Sequence, residues 1–146
     1  MPGFTTHYLF GVDACRRLTS TSMHNMIRRD HSAYALGLQG PDLFFYYLPS
    51  YLMHRKNIGD LAHRKDTVQF FGNLLQSRKL FAGKKHSLSI ADAYICGFMG
   101  HYTLDCTIHP YVYAFTGYNA QTPPSNTEYF GCLLYTSDAA DDLTRV

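Results

Sequence analysis

The sequence predicts an all-α protein, a single domain built from about five helices. Three observations predict this class. Apolar residues recur at helical spacing along most of the chain, strict alternation of apolar and polar residues is scarce, and no internal repeat is visible. With 146 residues, of which 46% are hydrophobic, the chain is long enough for one core and too short for two.

Two helices are predicted near the N-terminus. Residues 7–18 carry apolar side chains at helical spacing, and the Thr-Ser-Thr-Ser run at 19–22 ends this helix and caps the next one, at 23–29. Arg28 and Arg29 lie where cations stabilise the C-terminal end of a helix.

A turn and an aromatic stretch are predicted next. Residues 37–41 contain two glycines before Pro41 and predict a turn that places Asp42 at the start of the aromatic stretch 43–47. Aromatic residues are buried more often than they form a rim that binds lipid, so those between 44 and 51 are predicted to lie in the core.

Residues 58–75 have the pattern of one long amphipathic helix. Its predicted inward face consists of Leu61, Val68, Phe71, Leu74 and Leu75.

A Gly- and Lys-containing loop at 81–85 precedes the last predicted helix, 88–108, which Ser87 caps. Pro110 is predicted to stop this helix, which puts His109 at or just beyond its end. Residues 116–127 are predicted to form a loop.

Charge does not select a partner for this chain. Thirteen Lys and Arg against eleven Asp and Glu give a net charge of +2, too small to attract nucleic acid or anionic lipid by itself. No secretory signal and no apolar run long enough to span a membrane are visible, so a cytoplasmic protein is expected. Eight His and ten Asp, with a single Glu, suit metal ligation better than a salt-bridged surface.

His101, Asp105 and His109 form the strongest functional pattern in the sequence. They stand at i, i+4 and i+8 and therefore share one face of the predicted helix. The helical rise puts the two His about 12 Å apart, too far for one zinc ion, which favours two metals with Asp105 between them. The same spacing also suits a buried network of polar side chains, and that alternative stays open.

Four segments span most of the chain and resemble one enzyme family. They read THYLFG at 6–11, GLQGPDLFFYY at 37–47, IGDLAHRKDTVQFF at 58–71 and GFMGHYTLDCTIHPYVY at 97–113. Together they resemble the zinc-dependent phospholipase C family, whose relatives include the N-terminal domain of a glycosylphosphatidylinositol-specific phospholipase D. The resemblance implies an all-helical fold that holds three zinc ions.

By motif order, the resemblance also implies which residues bind the metals. Asp105 would bridge two ions, and His63 fits the position on the middle helix better than His54 does. The implied metal ligands are His7, Asp42, His63, His101, Asp105 and His109.

The C-terminal part departs from this family. Its third zinc site needs an H-x3-E pair downstream, whereas no His follows His109 and the only Glu is Glu128. Residues 132–146 instead resemble the in-frame translation of a transposon adapter used to build sequencing libraries. We therefore expect a partial phospholipase C-like domain at 1–131, a non-native tail at 132–146 and an incomplete third zinc site, which leaves the activity of this chain open.

The resemblance implies hydrolysis of a phospholipid phosphodiester, with metal-bound hydroxide as the nucleophile and Asp42 orienting or deprotonating the water. The expected partners are a phospholipid substrate and, transiently, a membrane surface. One alternative is a zinc-dependent phosphodiesterase similar to single-strand nucleases, but the modest charge gives it little support and no nucleic acid partner is expected. The other is a metal-binding helical module without catalysis. Headgroup specificity, cleavage on the C or D side and oligomeric state stay open.

Overall fold

The structure, a computed structural model, describes residues 3–47, 49, 58–59, 62 and 66–116. Across these residues the chain forms helices and turns and contains no strand, which confirms the all-α prediction. The α-helices are α1 (Phe4–Arg16), α2 (Thr21–Arg29), α3 (His31–Gln39), α4 (Thr67–Ser77) and α5 (Lys85–Thr116). Two 3-10 turns, Gly40–Tyr46 and Arg78–Phe81, follow α3 and α4.

The crossing of α3 and α5 is the centre of the fold, because these two helices share the most extensive contact. Glycines face each other at this crossing. A Cβ on Gly97 would lie 2.1 Å from the carbonyl oxygen of Tyr34, and a Cβ on Gly37 would lie 2.2 Å from that of Tyr94. The two backbones therefore touch, with no side chain between them.

A cluster of buried residues lies beside this crossing and contains Ile27, Tyr34, Leu38 and Ala93. The Tyr34 hydroxyl donates a hydrogen bond of 2.9 Å to the carbonyl of Gly11 and so ties α3 to α1. Burial raises the pKa of Tyr34 to about 12, which keeps the hydroxyl protonated as a donor. Helix α1 is thereby fixed against the same pair of helices.

Helices α1 and α2 lie in the two segments where helices are predicted, but α1 covers Phe4–Arg16 instead of 7–18, and α2 begins at Thr21 instead of Met23. Of the Thr-Ser-Thr-Ser run, Thr19 and Ser20 lie between the two helices, and Thr21 and Ser22 belong to α2. The Ser20 hydroxyl caps α2 by accepting a hydrogen bond of 3.4 Å from the backbone N–H of Met23.

Helix α3 is absent from the sequence prediction, which places a turn at 37–41. Gly37 continues the helix because it packs against α5, and the turn itself occurs at Gly40, where φ is +53°. The residue before α3, Asp30, is of a type that commonly caps helices but does not serve as a cap here. Its carboxylate accepts hydrogen bonds from Ser89 and Arg29 instead.

The prediction of one helix over 58–75 is wrong. Asp66 interrupts it with a non-helical backbone and caps α4, its carboxylate accepting a hydrogen bond of 3.1 Å from the N–H of Gln69.

The predicted inward face of this segment is also partly wrong. Val68 is 85% exposed and Leu75 is half exposed, while Leu74 is half-buried and Leu61 lies outside the described residues. Helix α4 instead packs along one aromatic edge, where Phe71 contacts Phe98 and Tyr102 of α5.

Helix α5 is longer than predicted at both ends. It begins at Lys85, so Ser87 lies inside the helix and does not cap it. It continues through Pro110 to Thr116, because the fixed φ of proline is compatible with a helix although it removes one hydrogen bond, at a typical cost of about 3 kcal/mol. His109 consequently stays on the helix. The loop predicted at 116–127 falls, beyond Thr116, outside the described residues.

Most of the aromatic stretch after Asp42 is exposed, in contrast to the prediction that the aromatic residues from 44 to 51 lie in the core; Phe45 is half-buried, and Tyr51 lies outside the described residues. Phe44, Tyr46 and Tyr47 are all exposed, with Tyr46 at 71%, because the 3-10 turn buries only its first three residues. Tyr46 packs instead against Phe4 of α1, with ring centroids 5.2 Å apart.

Of the helices in the described ranges, none combines the length and the apolar character needed to cross a membrane.

Candidate metal centre

Three separate parts of the chain bring acidic and imidazole side chains together at one end of the α3–α5 crossing. Helix α1 contributes His7, the 3-10 turn contributes Asp42, and α5 contributes His101 and Asp105. All four side chains are buried. His109, one turn further along α5, is 20% exposed and lies next to Asp105. His63 and its alternative, His54, lie outside the described residues.

His7 is buried because of the packing of α1. The buried face of this helix consists of Thr6, His7 and Gly11, which follow the helical period. At Gly11 a Cβ would lie 2.1 Å from the side chain of Leu38, so any larger residue there would have to displace Leu38 or move α1 away from it. The close approach of α1 carries His7 to the interior, where its side chain is fully buried.

Asp42 is placed by the reversal of the chain after α3. Gly40 ends α3 with a positive φ, and Pro41 follows as the first residues of the 3-10 turn form. Asp42 is therefore directed inward in the first turn, where it is only 6% exposed.

His101 and Asp105 lie one helical turn apart on the buried face of α5, with Leu104 beside them. The Nδ1 of His101 lies 3.0 Å from the carbonyl oxygen of Leu38. A carbonyl can only accept a hydrogen bond, so Nδ1 carries a proton, and in the neutral ring Nε2 then presents the lone pair. A backbone carbonyl that holds Nδ1–H in this way is the usual support of a metal-binding imidazole.

The carboxylate of Asp105 lies between three imidazoles. Its Oδ1 is 3.5 Å from the Nε2 of His7 and 3.5 Å from that of His109, while its Oδ2 is 3.3 Å from the Nε2 of His101. Asp42 spans the first two rings from another side, at 3.9 Å from His7 and 3.8 Å from His101. Five Nε2–carboxylate pairs therefore converge on a small volume.

These separations fit metal ligands better than direct hydrogen bonds. A hydrogen bond between an imidazolium and a carboxylate measures about 2.7–2.9 Å. Two ligand atoms on one tetrahedral zinc ion, each about 2.0–2.1 Å from the metal, lie about 3.3 Å apart. The ligand atoms of His7, His101 and Asp105 all lie within 4.8 Å of one another, so these three residues can hold one metal ion.

The electrostatics of the site agree with this interpretation. Burial, followed by repulsion from His101, lowers the pKa of His7 to about 4, although Asp105 and Asp42 act in the opposite direction. The ring of His7 is therefore neutral at pH 7, as a metal ligand must be. The two carboxylates, Asp42 and Asp105, supply the negative charge that a divalent cation requires.

The sequence predicts the five side chains that meet here and misses the backbone that supports them. Backbone atoms of Leu38 and Gly40 lie against His101, and neither residue carries a polar side chain that would mark it in the sequence. The only signal for Gly40 is its position before Pro41, which indicates a turn and nothing about an imidazole.

Comparison of the chain with family models, with curated proteins and with solved structures found no match. The chemical interpretation of the site therefore depends on its own geometry and on the motifs described above.

Proposed function

We propose that this chain forms the zinc-binding part of a phosphodiester hydrolase that acts on phospholipids, similar to zinc-dependent phospholipase C. The observation that carries the proposal is the position of the Asp105 carboxylate between the Nε2 atoms of His7, His101 and His109. A carboxylate placed in this way can bridge two cations in a cluster of metals. The resemblance of the four sequence segments to the family supports the substrate class.

The set of donor atoms supports zinc as the metal. Imidazole nitrogens and carboxylate oxygens, without a thiolate, are the ligands of many catalytic zinc sites. Sites of this kind also bind copper, nickel or iron. The binding experiment below therefore compares zinc with other divalent metals.

Bound zinc would offset the charge of the phosphodiester and lower the pKa of a coordinated water towards 7. In this proposal Asp105 fixes the spacing of the cations, and Asp42 orients the attacking water or accepts its proton. The buried rings of His7 and His101 exclude bulk water from one side of the centre.

The surface next to Asp42 supports a lipid substrate. Phe44, Tyr46 and Tyr47 belong to the same 3-10 turn or follow it directly, and all three are exposed. Aromatic side chains, in particular those with a polar tip, favour the boundary between water and lipid. Exposed aromatic residues that follow Asp42 in the chain therefore suit a substrate with acyl chains.

Zinc binding is the first test. Metal-free protein titrated with Zn²⁺, with bound metal counted after dialysis, should retain zinc, and Co²⁺, Ni²⁺ and Cu²⁺ serve as comparisons. If the wild-type chain retains no zinc, the proposal is wrong.

Hydrolysis is the second test, with release of phosphocholine from phosphatidylcholine compared with release of nucleotides from single-stranded DNA. The assay uses this chain and a longer form, extended at its C-terminus by a segment that carries an H-x3-E pair. Zinc-dependent release of phosphocholine from phosphatidylcholine is expected for the longer form. Turnover that survives both chelation and Asp105→Asn would reject the mechanism, and zinc binding without turnover in the longer form would favour a module without catalysis.

A further inference from the structure

Gly40 lies directly against the ring of His101. A Cβ built on Gly40 would be 2.5 Å from both Cγ and Cδ2 of that ring and 2.9 Å from Nδ1. Non-bonded carbon atoms in a packed interior are about 3.5–4.0 Å apart, so no side chain fits at this position without moving the imidazole. The backbone of Gly40 therefore forms the surface on which the ring rests.

The same short segment also selects the tautomer of the neutral ring. The carbonyl of Leu38, two residues before Gly40, accepts the hydrogen bond from Nδ1 of His101. One stretch of backbone at the end of α3 thus determines both where the ring lies and which nitrogen offers a lone pair. The opposite nitrogen, Nε2, is then directed at Asp105 and Asp42, at 3.3 and 3.8 Å.

We propose that Gly40 is a positioning residue of the metal centre, whose missing side chain lets the end of α3 hold His101 in the orientation that binds a cation. This inference rests on the proposed function and deepens it, because it assigns control of metal affinity to a residue without a donor atom. The chemistry at the ion belongs to the imidazole and carboxylate groups, and Gly40 acts only through His101.

The first test is Gly40→Ala, measured by titration of the folded, metal-free protein with Zn²⁺. The added methyl group displaces the ring and lengthens the bond from Nδ1 to the Leu38 carbonyl. Loss of such support behind a ligand weakens metal binding about 10- to 100-fold, and this is the increase in dissociation constant that we expect. The visible absorption of bound Co²⁺ should also change, because the ligand field of Nε2 changes.

Gly83→Ala is the matched control. Gly83 also has a positive φ, of +81°, but no atom lies within 4 Å of the position of its Cβ. Both substitutions force a side chain into a backbone region that only glycine occupies readily, and only Gly40→Ala contacts the metal centre. Zinc affinity and the cobalt spectrum should be unchanged in Gly83→Ala. Equal effects of the two substitutions, or no effect of Gly40→Ala on either readout, would overturn the proposal.

A double-mutant cycle covers the case in which Gly40→Ala does not fold. In the His101→Ala background the ring that the methyl group would strike is absent, so Gly40→Ala should cost much less stability there than in the wild-type background. Recovery of folding in the double variant is the expected result. An equal loss of stability in both backgrounds would show that glycine is needed at position 40 only for its positive φ and not for contact with His101.

The tautomer of His101 provides a readout that needs no metal. Long-range ¹H–¹⁵N spectra of the metal-free wild-type protein should show the proton on Nδ1, and Gly40→Ala should shift the ring towards a mixture of tautomers. If the wild-type protein binds no zinc, the proposed function fails, yet these spectra and the cycle still decide the role of Gly40. An unchanged tautomer with unchanged zinc affinity in Gly40→Ala rejects the positioning role alone.

Discussion

The imidazole rings of His7 and His101 are stacked, with centroids 4.1 Å apart and planes 18° from parallel. Two protonated rings at this distance would repel each other strongly in a buried site. The arrangement is therefore stable when at least one ring is neutral, and the pKa of His7, lowered to about 4, supplies that neutral ring. The stack presents two Nε2 atoms to the same pair of carboxylates.

The metal-free protein should lose stability as the pH falls from about 6.5 towards 4. The pKa of His7 is about 4 in the folded protein, whereas that of an unperturbed histidine is 6.5, so the unfolded chain binds more protons in this interval. The free energy of unfolding consequently decreases on acidification, with a contribution from His7 of up to about 1.4 kcal/mol per pH unit. Urea unfolding of metal-free protein between pH 4.5 and 7.5 measures this slope.

His7→Gln should reduce that slope, because the titrating ring is removed from the interior. His31→Gln removes an exposed imidazole at the start of α3 and is the control. The attribution to His7 fails if both variants keep the wild-type dependence on pH.

Asp105→Asn should abolish tight zinc binding. The substitution preserves the shape of the side chain and removes the negative charge that faces His7, His101 and His109. We expect the dissociation constant to rise by more than the 10- to 100-fold typical of residues behind the ligands. Titration calorimetry of metal-free protein measures the change, with Asp13→Asn, an exposed carboxylate on α1, as the control. Wild-type affinity in Asp105→Asn would remove this residue from the centre.

Gly97→Ala should destabilise the fold severely. The new methyl group would lie 2.1 Å from the carbonyl oxygen of Tyr34, and a helix backbone cannot yield as a side chain can. Overpacking typically costs about 1–3 kcal/mol, and contact with rigid backbone places this substitution at the upper end or beyond. The midpoint of urea unfolding should fall accordingly.

Gly72→Ala provides the opposite case on α4, since no atom lies within 4 Å of its Cβ position. Alanine is favoured over glycine inside a helix by about 0.5–1 kcal/mol, so this variant should be slightly more stable than the wild type. Similar effects of Gly72→Ala and Gly97→Ala would contradict the close crossing of α3 and α5.

Tyr34→Phe should lower the free energy of unfolding by about 1–2 kcal/mol. It removes the buried hydrogen bond of 2.9 Å to the Gly11 carbonyl and leaves the ring in the core. Tyr46→Phe removes a hydroxyl from a side chain that is 71% exposed and should change stability by less than about 0.5 kcal/mol. Equal changes in the two variants would argue against a role for the bond between α3 and α1.

The sequence predicts the all-α class and the residues of α5 that face the site, because periodicity and the i, i+4, i+8 spacing are local properties. The cap at Ser20 is also local and is confirmed. Helix α3 could not be predicted in the same way. Gly37 resembles part of a turn when only neighbours in sequence are considered, and only contact with α5 explains why the helix continues.

The convergence of His7, Asp42 and Asp105 is not a local property either. Their association depends on the packing of α1 and α3 against α5, and the resemblance to a family is what suggests it at the level of sequence. Before α4 the sequence misleads in the opposite way, because its local pattern predicts a helix that the structure interrupts. Asp66 caps α4 in the middle of a continuous amphipathic pattern.

The contact of Gly37 with Gly97 sets the register of α3 against α5 at the candidate metal site. Leu38 follows Gly37 directly, and His101 lies about one helical turn beyond Gly97. The contact between the two glycines therefore aligns the Leu38 carbonyl with Nδ1 of His101, which it meets in a hydrogen bond. A displacement of the two helices by the width of one methyl group would carry the imidazole out of reach of its carbonyl. Tolerance to mutation should therefore be as low at these two small residues as at the groups that bear donor atoms, although neither glycine has a side chain that could bind a metal ion.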